Sequence, residues 1–443
     1  MMPKSSLDII QKRLEAKKVN DYEIFLIERA IFETIFLKNN IDNERETAHS
    51  EYYLRILHQN NNETGIGVTK ANSLNTQDID NTIETCLNLS KTNISPKYDF
   101  PKEKKIPKIN TADKSILNDP VGTKNELSQE LISLISKQNE VTPTFGRFRI
   151  HSHNSFIRNS NGLDLESKKT FFFVEFSLKA EKDGRLAEYW TVDYYKERDH
   201  LNFENRIKKW VNYAKNNLSA ELPKPNSNAI VIFPPHVLRA AINPVIGGHS
   251  LAKSHYEKTS AFEIDSQVAS NLFSLIDDGL LEGGLNSSPW DREGNPRQKT
   301  EVISKGIFKN RLYDEKYAIL ENESSTGNSV MGLGGSSSNG ISNLVINPGE
   351  ISLNEMISNI KEGYLIEKFS WLNPDSISGY FGAEIRGGYY IRNGEYKHPI
   401  KLGNVSGNIL QMIKNILYIS EEREFVENAL FPYIAFTGLE ISS

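Results

Sequence analysis

The chain has 443 residues, of which 25% are charged and 38% apolar, with a net charge of −5. That length allows two domains or more, the composition is that of an ordinary soluble globular protein, and the mild negative charge carries no nucleic-acid footprint. A single cysteine, Cys86, excludes an intrachain disulfide and a cysteine-rich zinc site.

Residues 1–20 predict a helix, with Leu7, Ile10 and Leu14 at helical spacing. They lack the uninterrupted apolar core of a signal peptide, and no run of about 18 apolar residues occurs, so a cytoplasmic protein without a membrane span is expected. Residues 22–27 and 31–37 are rich in β-branched and aromatic types and predict two strands. The polar stretch 39–50 predicts a turn or short exposed helix, ahead of strands at 52–58 and 65–69. Residues 78–89 place Ile79, Ile83, Cys86 and Leu87 on one helical face, which makes Cys86 a core residue. Residues 91–122, basic in the middle and broken by prolines, predict a surface excursion. Thr123 and Glu126 form a capping box ahead of Leu127, Leu131, Leu134 and Ile135. A strand at 144–158 follows, then strands at 171–181 and 186–195 joined by Asp183-Gly184, a strong hairpin signal. Phe203, Ile207, Trp210, Val211 and Ala214 mark another helix.

A boundary near residues 221–228 divides the chain into domains 1–225 and 226–443. In the second, 229–233 predicts a buried strand, and 236–246 a helix interrupted by Pro244 and Gly247-Gly248. Residues 301–312 predict a strand, 332–340 a flexible loop, 380–396 a hairpin turning at Asn393-Gly394, 405–419 a helix and 432–441 a closing strand. The fold class is α+β, with mixed or antiparallel sheets flanked by helices.

Residues 277–328 concentrate Gly, Asp, Ser and Asn between apolar segments, the composition of a binding loop. His151 and His153 share one strand face but lack a third ligand. His249 and His255, six apart, miss the helical zinc spacing and are weak metal candidates. No nucleophile elbow or phosphate loop is present.

Ser288–Gly294 (Ser-Pro-Trp-Asp-Arg-Glu-Gly), Thr300–Gly306 and Ser325–Asn328 together resemble the signature of the TldD/PmbA family, long labelled modulators of DNA gyrase. Lys258–Phe262, Ile377–Gly382, Ile391–Glu395 and Val405–Ile409 are similar to its flanking segments. The resemblance is specific from about residue 229 onward. It implies the PmbA/TldD-like fold and a cytoplasmic metallopeptidase built from two homologous subunits. In the TldD subunit a His-Glu-x-x-x-His helix binds zinc and supplies the general base. Here Asn243 stands for the first histidine, Pro244 for the glutamate and Gly248 for the second histidine. The resemblance therefore implies a non-catalytic, TldE-type subunit with no cofactor of its own, zinc in the TldD-type partner, and unfolded or modified peptides as substrate. Trp290, Asp291, Arg292, Glu293, Ser325, Thr326 and Asn328 are its candidate peptide contacts. A homodimer stays open, as do an independently active metal-dependent peptidase using His249, His255 and Glu257 or Glu263, and a regulatory protein of the gyrase-modulator kind.

Overall fold

A computed structural model describes residues 3–60 and 62–443. The first half is built on β1 (Tyr22–Leu37), β2 (Asn40–Gln59), β3 (Glu63–Ala71), β4 (Ile94–Pro96), β5 (Val141–Asn159), β6 (Asp164–Lys182) and β7 (Arg185–Tyr195). They form an antiparallel sheet in the order β4-β3-β2-β1-β5-β6-β7. Two departures from expectation sit in its first hairpin. Residues 22–37 are one strand rather than two, and the turn expected over 39–50 is confined to residues 38–39, with 40–50 in strand. Residues 42–50 are exposed, so no apolar alternation marks them; the backbone ladder to β1 holds them extended.

One sheet face is covered by helices. Alpha helices α1 (Pro3–Ala16) and α2 (Thr76–Thr92) bury Leu7, Ile10, Leu14, Ile79, Ile83 and Cys86 against Ile24, Leu26, Leu54 and Ile56. After a short α3 (Lys114–Asn118), α4 (Pro120–Ser136) and α5 (Phe203–Asn216) cover Phe148, Ile150, Phe172, Val174 and Phe176. Trp210 of α5 stacks on Phe176, with centroids 5.9 Å apart. Helix α4 starts earlier than the Thr123 capping box predicts. Asp119 caps it by accepting from the Gly122 N–H, with Pro120 in the first turn, where its missing N–H costs no bond. Residues 91–122 are also more than an excursion, since Tyr98 and Phe100 are buried.

The second half carries an eleven-stranded mixed sheet. Its strand β8 (Asn226–Phe233) lies parallel to Glu362–Phe369 and antiparallel to the closing strand Ala429–Ser442. The Asp183-Gly184 and Asn393-Gly394 turns both take positive φ at both residues, the twist that joins such hairpins tightly. Residues 405–419 are not one helix. They split into strand Asn404–Asn408, a single turn Ile409–Met412 capped by Asn408, and the start of strand Ile416–Val426. Strand 301–312 is likewise shorter, as Lys299–Ser304 and Ile307–Phe308 around a Lys305-Gly306 turn. Among the described residues no helix is long and apolar enough to cross a membrane.

Cys86 is fully buried, and burial pushes its thiol up to about 12. A thiol-reactive chromogenic reagent at pH 8 is therefore expected to leave the native chain unlabelled and to titrate one thiol in denaturant; rapid labelling of the native chain would contradict this packing.

Candidate functional site

The loop expected to form a binding surface instead joins the two sheets. Trp290 inserts among Phe25, Ile27, Tyr53, Ile157 and Leu163 of the first sheet, its ring 6.2 Å from that of Phe25. Beside it Glu23, wholly buried on β1, accepts from Arg55 Nη2 at 2.7 Å and from Arg292 Nη1 at 2.7 Å. Arg292 also lies 4.2 Å from the Phe25 ring centroid and donates to the Gly335 carbonyl. Glu293 accepts from the Tyr98 hydroxyl at 2.7 Å and faces Arg55 at 3.4 Å. Burial opposes the charge on Glu23, but Arg55 and Arg292 outweigh it and hold its carboxyl below the ordinary value. Two glycines permit the approach. A Cβ on Gly294 (φ 86°) would lie 2.3 Å from Leu163 Cδ2, and one on Gly335 (φ 89°) 1.8 Å from the Tyr53 ring.

Trp290, Asp291, Arg292 and Glu293 are at most 5% exposed, so none reaches a free surface of this chain. Ser325 and Thr326 are half-buried and shape a turn, where Thr326 accepts from the Tyr313 N–H at 2.7 Å. Asn328 is buried and donates to Asp277 at 3.0 Å. The structure thus gathers the seven candidates into the join and the turn beneath it.

The degenerate motif lies at the end of α6 (Pro235–Ile242). Pro244 does not stop this helix. A π turn over Asn243–Gly247 carries it on to His249, the wider turn absorbing the N–H that proline lacks. Asn243 donates to Asn428 at 3.0 Å, while Pro244 and Gly248 have no side-chain donor to offer a metal. His249 is closed to one as well. The Ala261 N–H donates to its Nδ1 at 3.0 Å, so Nε2 carries the proton and donates to the Ile377 carbonyl at 2.9 Å. His255 Nε2 donates to the His249 carbonyl at 3.1 Å and its ring stacks on Phe308. Burial lowers both histidines, His255 to about 4 with help from Arg311. These residues do not fit zinc, and among the described residues no group of three or more His, Cys, Asp or Glu is arranged to hold an ion.

What is open is a cleft of ≈ 480 Å³ between the two sheets. Its walls are β7, α5 and the strands Glu362–Phe369 and Tyr380–Arg392. Strand β7 is the last of its sheet, so one edge has no neighbour. Lys368 Nζ donates to the Trp190 carbonyl of β7 and sits 4.6 Å from the Tyr189 ring centroid. Burial lowers this amine to about 8, with Asp193 pulling the other way. Tyr213 of α5 packs 5.1 Å from Tyr189 and donates to Glu367. Behind Glu367, outside the lining, His236 of α6 meets its carbonyl at 2.6 Å, and Arg239 pairs with the Glu427 carboxylate. Trp190 is 52% exposed at the mouth. These residues are missed in sequence because hydrophobic spacing explains strands and helices without them. The one signal is Tyr189-Trp190, since adjacent strand residues face opposite ways and only one can enter the core.

Residues 226–443 match the PmbA/TldA metallopeptidase C-terminal domain. An uncharacterized protein of Methanocaldococcus jannaschii is 28% identical over 63% of this chain and 65% of its own length. A metalloprotease of the same organism is 26% identical over 95% of this chain and 93% of its own. Metalloprotease PmbA of Escherichia coli O157:H7 is 23% identical over 64% and 61%. TldE from Thermococcus kodakarensis shares the fold with a TM-score of 0.86 at 19% identity, covering 99% of each chain. A Thermotoga maritima protein described as a candidate modulator of a DNA gyrase does so with 0.84 at 20% identity, over 98% and 100%.

Two outcomes are expected of the join. Glu23→Gln leaves Arg292 buried without its charge partner and Arg55 with Glu293 alone, and costs about 3–5 kcal/mol of stability by denaturant unfolding; a loss under about 1 kcal/mol would contradict the clamp. Burial, reinforced by Glu293, raises the buried Asp314 carboxyl to about 8. A carboxyl raised in the fold contributes stability that is complete below about pH 4 and lost as pH rises through its folded value. Asp314 caps the helix Glu315–Glu321 by accepting from the Tyr317 N–H, and Asp314→Asn keeps that cap while removing the titration, so its stability falls less than that of the parent chain between pH 5 and 9; parallel profiles would refute the assignment.

Proposed function

Because this chain belongs to the PmbA/TldD family, we propose that it is the non-catalytic, TldE-type subunit of a cytoplasmic metallopeptidase pair. Its task is to hold an extended peptide in the cleft beside β7, while a TldD-type subunit carries zinc and cuts. The observation that carries this reading is the occupied imidazole of His249 beside Asn243, Pro244 and Gly248, a motif position with family context and no donor set for an ion.

The cleft's chemistry supports the peptide half. An open strand edge offers alternating N–H and C=O groups to any extended chain, which gives affinity with little dependence on sequence. Lys368 caps one of those carbonyls, and an incoming N–H at the same oxygen replaces it. Trp190, Tyr189 and Tyr213 give the bound chain apolar walls. The signature residues act at one remove, by fixing the two sheets that form the cleft. A homodimer is a further possible state for the chain without its partner.

The test uses an unfolded, fluorescently labelled peptide. The isolated chain binds it without cutting it and purifies without stoichiometric zinc, and Trp190→Ala weakens binding by about tenfold. Cleavage by the isolated chain with one zinc bound per chain would overturn the proposal.

A further inference from the structure

The face of the first sheet away from the helices carries a pattern that the cleft does not use. Register places His49, Arg29, His153 and Lys169 side by side across β2, β1, β5 and β6. Direct neighbours in such a row have their Cβ atoms about 5 Å apart, and like charges there are destabilising. The row contains no carboxylate. The acid nearest in register, Glu51, is one pair further along and already holds Arg29, Lys70 and the Tyr53 hydroxyl. Among the described residues Lys169 has neither a hydrogen bond nor a carboxylate partner, and Arg297 of the second half adds a further cation near it. Burial and Arg297 lower Lys169 to about 8; burial, then His151, Arg29, Lys169 and His49, lower His153 to about 3. Phe171 forms the wall of this site. His151 stacks on it at 4.5 Å, His153 meets its edge at 5.1 Å, and Lys169 Nζ lies 5.6 Å from its centroid. The buried Nε2 of His151 has no partner.

We propose that the row His49–Arg29–His153–Lys169 is an anion site that takes a single carboxylate or phosphate group. A bound anion supplies the counter-charge that Lys169 lacks and accepts from its ammonium and from the neighbouring imidazole N–H groups. A half-buried cation left without a counter-charge, as Lys169 is, is the mark of a site completed by a ligand. The row lies four residues along β6 from Leu165, which borders the signature join. The anion site is built on the first sheet, with Arg297 of the second half beside Lys169. Only the source of the anion draws on the peptide reading, under which it is the C-terminal carboxylate of a bound chain.

The experiment is calorimetric titration of the full chain at pH 7 with inorganic phosphate, and with one peptide in free-acid and C-terminally amidated forms. Phosphate binds saturably, and Lys169→Met and Lys169→Gln each weaken it about tenfold while the melting temperature holds or rises. A free-acid peptide that outbinds its amide in the parent chain, but not in the variants, identifies the anion as a peptide carboxylate. Equal binding of acid and amide, with phosphate binding still lost in the variants, supports the site and assigns it to a free anion. Absence of saturable phosphate binding, or binding unchanged in both variants, overturns the proposal and leaves the cleft reading untouched.

Discussion

Glu23 is the group on which the arrangement depends. It is a carboxylate with no exposed surface, placed on the first long strand and clamped between Arg55 of the neighbouring strand and Arg292 of a loop more than 260 residues away. Ionised groups out of water are tolerated only when paired and fully bonded, and each guanidinium here also finds a second partner, Tyr98 for Arg55 and the Gly335 carbonyl for Arg292. The clamp fixes one register between the two sheets, because sliding the loop by one residue would strand two buried charges, Arg292 and Glu293, at once. Trp290 adds apolar area at the same place.

Much of the architecture is legible in the residues, and the failures have common causes. Hairpins at Asp183-Gly184 and Asn393-Gly394 are visible because only a few residue types accept positive φ at both positions. The amphipathic stripe of α5 is visible because Trp210 and its neighbours repeat at helical spacing. Residues 42–50 fail because a solvated ribbon has no buried face to print a period on the sequence. Residues 405–419 fail because a strand, one turn and a second strand share apolar residues that also fit a helix. The signature loop is legible as special but not as to purpose. Gly, Asp, Ser and Asn are what a binding loop needs, and also what a tight, fully bonded junction needs.

The site shows the same limit. Asn243, Pro244 and Gly248 are readable as the place of a missing metal motif only through the family resemblance, which supplies the position. That His249 cannot substitute is not readable, because it depends on Ala261 and Ile377 taking its two nitrogens. The cleft residues Trp190, Tyr213 and Lys368 come from three separate elements, and only the tertiary fold puts them around one space. The chain keeps its family's frame, has no zinc donors at the motif position, and presents an open strand edge between its two sheets.

The central claim, that this chain holds substrate and another subunit cuts, is tested most directly by reconstituting it with a TldD-type subunit and locating the chemistry. His249→Ala combined with His255→Ala in this chain leaves peptide cleavage by the pair within about twofold of the parent rate, while replacing the glutamate of the partner's His-Glu-x-x-x-His motif abolishes it. Loss of cleavage in the double-histidine variant of a correctly assembled pair, with the partner's motif intact, would contradict the account.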